Sequence, residues 1–434
     1  LQFDSVFVSK MQEDILNIIL LQESSKKFRS KYFIESFEVK RGIVLSELLY
    51  RRGLIHLGDE IIKRATRLGI ENEMYGEILV LLDMQRVTHG ILKGAKVIDR
   101  YRKQVDFYKN LFCDSLDTVS ISYDVVLKGF DGDFDDPVRK KEIEDYLDLL
   151  DRIFSRTKSN RIGYWYFRTA VGYYLNVSDY KLALKFSKLL LGLIENGRSL
   201  NNPVNIAGAS NELAKVFILN QQFNDSIPLI HKALSLFNPK LNNYLATLVP
   251  LFLANFHLEQ FEECSKIYEQ AIAHPKFKEK KDNVMLWNYY KTCLYFKKGL
   301  YKEALNSLNQ DANALALNKS ELFVFSRILY LFLLFETNKS ILWSYELASF
   351  RKTFPSIKNY KIDRLKIVFF ILNKLDKEDF DFPYVEARES EKFEKLQVIP
   401  NIWKPLGFEL ISFESWFKEK TLAFNKTSKQ KRKK

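Results

Sequence analysis

Turn-forming residues are scarce in this chain: Gly 16 and Pro 10 account for 6% of 434 residues, against roughly 12% in average usage. So few corners exclude a fold of many short strands joined by tight turns, and point to long helices. Three cysteines and five histidines leave little material for metal or nucleophile chemistry. The cysteines (Cys113, Cys264, Cys293) are far apart and form no CxxC pair or zinc spacing. That usage fits a reducing compartment, and the expected location is cytoplasmic. No apolar run reaches the ~18–20 residues of a membrane span; the nearest, Ile328–Phe335, is eight long and follows Arg327. The chain starts at Leu1, so no targeting segment is judged from its first residues.

What is present is an ordinary globular composition, 47% hydrophobic and 28% charged, with a formal charge of +13. The last nine residues (KTSKQKRKK, 426–434) carry six positive and no acidic side chains, and without them the excess falls to +7. They are expected to form a solvated, disordered tail. A nucleic-acid role through this tail is the alternative to a protein-binding role.

The most informative stretch lies between about Tyr164 and Leu308. Large and small residues recur there in one order: Phe167, Ala170, Tyr174, Tyr180, Ala183; Ala214, Phe217, Phe223, Ser226; Phe256, Phe261, Cys264; Tyr295, Gly299, Tyr301, Ala304. This pattern describes helix–turn–helix hairpins. The small residue lets two axes approach, and the aromatic three residues before it fills the wedge at the turn. One hairpin leaves an apolar face that only a stacked neighbour buries.

These residues resemble the tetratricopeptide repeat family over roughly the middle third of the chain. They depart from its pattern in that only the last unit has the corner Gly. Ser178, Gln221 and Glu259 replace it elsewhere, and the turn aromatics recur after 43, 38 and 40 residues rather than every 34. The resemblance implies an all-α solenoid of antiparallel helical hairpins wound as a right-handed superhelix, working as a non-enzymatic interaction scaffold. It also implies that first helices line the inside and that their non-core positions touch a protein or peptide partner. Carried over, those positions are Trp165, Arg168, Asn211, Lys215, Ile218, Leu253, Phe256, Tyr289, Phe296 and Lys297. Arg168, Lys215 and Lys297 would suit an acidic residue or a free carboxylate. The chaperone-tail clamp of some members is not supported, because the corresponding sites hold Arg168, Thr169, Glu212, Pro250 and Tyr290.

The expected organisation is a helical region at 1–160, with degenerate repeats left open, repeats at 161–315, further hairpins and a cap at 316–425, and the tail at 426–434. Asp376–Pro400 reads as an acidic loop, and Trp403–Phe424 as an aromatic segment packing on the last hairpin. No phosphate-binding GxxxxGK[ST], HExxH or GxSxG pattern occurs, and no cofactor is expected. Asp131, Asp133, Asp135 and Glu142 copy part of a calcium loop. However, Asp136 stands at the sharp-turn position and Pro137 follows, so the simpler reading is that Asp136 caps a helix starting at Pro137.

Overall fold

The computed structural model describes residues 31–130, 136–310, 321–353, 363–399 and 401–431. Among them there is no strand, so the fold is all-α. The chain divides into two compact units, Leu1–Leu213 and Ala214–Lys434, with the division falling inside a helix of the repeat region.

In the first unit, α1 (Lys31–Arg51), α2 (Ile55–Glu71) and α3 (Tyr75–Lys93) pack on one another through Val39, Ile62, Ala65, Met74 and Leu81. Gly42 permits the close approach of α1 to α2, since a Cβ there would stand 2.8 Å from the Ala65 Cβ. Next come α4 (Ala95–Phe130), α5 (Pro137–Thr157), α6 (Asn160–Asn176), α7 (Tyr180–Asn196) and α8 (Pro203–Leu219). As the sequence implies, Asp136 caps α5 by accepting from the Val138 N–H. Residues 131–135 of the calcium-like run lie outside the described residues.

The second unit holds α9 (Phe223–Leu236), α10 (Asn242–His257), α11 (Phe261–Ile272), a 3-10 turn (Phe277–Glu279), α12 (Lys281–Lys297) and α13 (Tyr301–Gln310). It continues with α14 (Glu321–Glu336), α15 (Ser340–Thr353), α16 (Asp363–Lys377), α17 (Phe382–Arg388), α18 (Ser390–Lys395) and α19 (Phe413–Lys431). Each of α10 to α16 touches its sequence neighbour, and α12 also reaches α14, two helices on. That is the packing of stacked hairpins. One continuous apolar cluster runs from Ala214 to Phe417.

One corner geometry recurs. Gly53, Glu73, Ser178, Gln221, Glu259, Gly299 and Asn338 all have φ between +54° and +77°. In each case the next residue's N–H reaches back five positions, as Asp179 to Tyr174, Gln222 to Phe217, Gln260 to Asn255 and Leu300 to Tyr295, all 2.9 Å. Met74 to Gly69, Leu54 to Leu49 and Lys339 to Leu334 repeat the bond. This left-handed closure satisfies carbonyls orphaned at a helix end, and it suits Gly299 because Gly has no Cβ to clash. Two residues later the second helix opens with Tyr180, Phe223, Phe261 or Tyr301. The small residues Ala183, Ser226, Cys264 and Ala304 are fully buried.

Two expectations are corrected. The stretch read as an acidic loop contains α17 and α18. Asp381 starts α17 by accepting from the Tyr384 N–H at 3.0 Å, with Pro383 in the first turn. The helix α19 continues to Lys431, into the stretch read as a disordered tail; residues 432–434 lie outside the described residues.

Candidate docking faces

In the first unit, α6 carries Trp165 and Arg168. Its start is fixed twice. Ser159 Oγ accepts from the Ile162 N–H at 3.3 Å, and the Glu73 carboxylate accepts from the N–H groups of Asn160 (2.8 Å) and Arg161 (2.7 Å). A carboxylate placed on the free N–H groups and positive end of a helix is favourable. Trp165 is half-buried, its ring 5.7 Å from Tyr164 on the same helix and 5.8 Å from Tyr123 on α4. Arg168 is exposed and donates to the Tyr164 hydroxyl at 2.8 Å, its guanidinium 5.9 Å from that ring. Tyr164 and Arg168 line a notch of about 140 Å³ with Leu190, Ile194, Asn205 and Glu212. Asn211 is half-buried, and its Oδ1 has no hydrogen-bond partner among the described residues. Tyr164 and Asn205 are not among the positions the resemblance implies, and Glu212 enters there only as a residue at odds with the chaperone-tail clamp.

In the second unit, Lys215 and Lys297 are exposed. Ile218, Leu253, Phe256, Tyr289 and Phe296 are instead core residues, between 0% and 7% accessible. Their expected place on an open inner surface is therefore corrected. The physical reason for Tyr289 and the face of α10 lies in residues 401–417, which return over these helices. His257 contacts the Pro405 carbonyl through Nε2 at 3.0 Å and packs edge-on against Trp403 at 5.2 Å. The Tyr289 hydroxyl donates to the Phe408 carbonyl at 2.5 Å. Trp403 Nε1 donates to the Glu409 carbonyl at 2.7 Å.

A buried ionic knot fastens this returning segment. Arg364 on α16 donates to both oxygens of Glu409 (2.7 Å each) and both of Glu414 (2.8 and 2.7 Å), and to the Asn401 carbonyl at 2.9 Å. Glu409 also accepts from the Phe413 N–H at 2.8 Å. Burial opposes the charge of Arg364, but the hydrogen bonds it donates to Glu414 and Glu409 overcome it and hold its pKa above the ordinary value. Burial pushes the Glu409 carboxyl up even so. Beyond the knot, Trp416 stacks on Phe332 at 4.1 Å and donates to Glu336 at 2.9 Å, so α19 packs on α14 as the aromatic segment implies.

His257, His89 and the two buried cysteines are held in structural surroundings. Burial depresses the His257 pKa to about 4, with the charge of Lys297 adding to the effect. Its ring is therefore neutral, and Nε2 carries the hydrogen that the carbonyl accepts. His89 is buried between Asp59 (2.9 Å) and the Tyr101 hydroxyl (2.9 Å). Burial raises the Cys264 thiol to about 12 and pushes Cys293 up as well, which suppresses the reactive thiolate. Among the described residues no group of three His, Cys, Asp or Glu is placed to hold a metal ion, and no helix is long and apolar enough to cross a membrane.

No family model matches the chain, and no curated protein matches it significantly. Among solved structures, it is similar to a Signal Transduction ATPase with Numerous Domains (STAND) protein with a tetratricopeptide repeat sensor from Pyrococcus horikoshii. The identity is 15%, 81% of this chain and 53% of that one are covered, and the TM-score is 0.47. This chain thus spans about half of that protein. The TPR domain of P58(IPK) shares 12% identity over 91% of this chain and 99% of that one, with a TM-score of 0.22. The repeat character rests on the recurring left-handed corners among the described residues, not on these likenesses.

Proposed function

We propose that the chain is a non-catalytic docking protein that takes a polypeptide segment on the exposed face of α6 and α8 in the first unit. The observation that supports this reading is the cluster of Trp165, Tyr164 and Arg168 beside the notch. Half-buried aromatics and a positioned guanidinium are the side chains that concentrate binding energy at protein interfaces. Their mutual packing holds them in place before association, which lowers the ordering cost of binding. Glu212 shares the notch with Arg168 and offsets part of its charge, so affinity comes mainly from the aromatic rings, and the exposed guanidinium adds a contact to a carboxylate on the partner. A contact of ~1 μM needs only about 8 kcal/mol, within reach of a few such residues.

The test is capture of host polypeptides on the immobilised full-length chain, with Trp165→Ala/Arg168→Glu compared against the unaltered protein. Loss of at least about tenfold in captured partner, with an unchanged melting temperature, is the expected result. Equal capture by a folded double variant would remove this face from the account.

A further inference from the structure

Both sides of the notch in the first unit are tied to one corner, between α2 and α3, where Glu71, Asn72 and Glu73 follow one another. Glu73 holds the start of α6: besides the two N–H groups it accepts, it takes the Ser159 hydroxyl at 3.2 Å. Tyr164 and Arg168 follow on that helix. Glu71 turns the other way and pairs with Arg198 Nη1 at 2.5 Å, in the loop between α7 and α8. The same guanidinium donates through Nε (3.1 Å) and Nη2 (2.5 Å) to Glu35 of α1, 163 residues away in sequence. Asn72 donates to Glu35 as well, at 2.8 Å. Burial works against the Glu35 charge, but the hydrogen bonds from Arg198 and Asn72 prevail and keep its carboxyl below the usual range. Arg198 thus clasps carboxylates of two helices at once.

The clasped loop leads directly to the notch. Gly197 is buried, and a Cβ there would stand 2.8 Å from the Leu193 carbonyl oxygen and 3.3 Å from Asn160 Cγ, so the loop lies tight against the first residue of α6. Past Arg198, the Leu200 carbonyl accepts from Asn205 Nδ2 at 3.0 Å, and Asn202 Oδ1 accepts from the Asn205 N–H at 2.9 Å. Asn205 lines the notch from α8, as do Val204 and Glu212. We propose that Arg198 and the Glu71–Glu73 corner are positioning groups that set the separation of the notch's two walls, so that docking there is coupled to a clasp the partner does not touch. A planar guanidinium on two carboxylates fixes orientation as well as distance, and walls set in advance lower the ordering cost of binding. The coupling is reciprocal: a partner that needs this spacing tightens the clasp by the same factor.

The proposal rests on the reading that the notch docks a polypeptide, and two measurements on the full chain separate them. The first needs no partner. With exposed Cys113 replaced by Ser, nitroxide labels on cysteines placed at exposed Arg161 and Val204 report the spacing of α6 and α8 by dipolar electron paramagnetic resonance; Cys264 and Cys293 are buried. Arg198→Gln is expected to shift or broaden the distance distribution, and Arg198→Lys, which keeps the charge but not the fork, to do so less. Should Arg198→Gln fail to fold, Glu71→Gln replaces it: that carboxylate is 34% exposed, its loss leaves the Glu35 pair intact, and the same change is expected in smaller measure. The second measurement is capture of the host polypeptide retained by the unaltered chain. Arg198→Gln, with an unchanged melting temperature, is expected to lower capture about five- to tenfold. Added to Trp165→Ala/Arg168→Glu, it is expected to lower the residual capture no further. If the unaltered chain captures nothing, the docking reading fails and the distance measurement alone decides the clasp. An unchanged distribution in the folded variant, or an equal further loss on adding it to the double variant, would overturn the proposal.

Discussion

His257 shows how a single side chain couples the hairpins to the returning segment. An ordinary histidine titrates near 6.5, but burial holds this one near 4. The unfolded chain therefore takes up a proton below pH 6.5 that the folded chain refuses until about pH 4. The contribution is present in full above pH 6.5 and is lost as pH falls through that window, amounting to about 3 kcal/mol. Melting temperature measured between pH 7 and 4.5 should fall more steeply for the unaltered chain than for His257→Gln, which retains a donor for the Pro405 carbonyl. Parallel curves would show that His257 is not held neutral. Arg364 is the second decisive residue. Arg364→Leu strands Glu409 and Glu414 in a buried site and should cost about 3–5 kcal/mol in chemical denaturation. Adding Glu409→Gln and Glu414→Gln should restore part of that loss.

Among the elements, the recurring corner carries the fold, and its legibility was uneven. Four corners are visible in the sequence because an aromatic and a small residue follow each, at Tyr180/Ala183, Phe223/Ser226, Phe261/Cys264 and Tyr301/Ala304. The corners at Gly53, Glu73 and Asn338 have the same backbone, but Ile78 and Trp343 occupy the small-residue position after the last two, so no repeat shows there. A positive φ is also invisible when the residue is Glu or Gln rather than Gly. That strain makes a prediction. Glu259→Gly, at φ +59°, should stabilise the second unit by about 0.5–1 kcal/mol, because Gly accepts the left-handed corner that an L side chain resists. Glu73→Gly should do the opposite despite its φ of +54°, because it removes the carboxylate that caps α6. Denaturant midpoints of the two variants should move in opposite directions. If Glu73→Gly is as stabilising as Glu259→Gly, the cap contributes nothing.

At the scale of the whole molecule, what the sequence concealed is a long-range return. Phe256 and Tyr289 are groove positions only by the resemblance to the repeat family, which says nothing about Trp403 and Phe408, more than a hundred residues away, returning over α10 and Tyr289. A usable signal did exist. On α10, α12 and α14 buried residues occur on every side, as in Met285, Trp287, Tyr289, Tyr290, Cys293 and Phe296, and a helix apolar all round is enclosed. Among the described residues, Arg168 stays exposed and Trp165 half-buried. The account therefore separates an open face at α6 and α8 from covered faces at α10 and α12. The most direct test is amide hydrogen exchange of the full chain with and without a captured polypeptide partner. The account predicts added protection in Tyr164–Glu212, with exchange at His257, Tyr289 and 401–412 unchanged. Protection confined to α10 and α12, with residues 401–412 released, would contradict it.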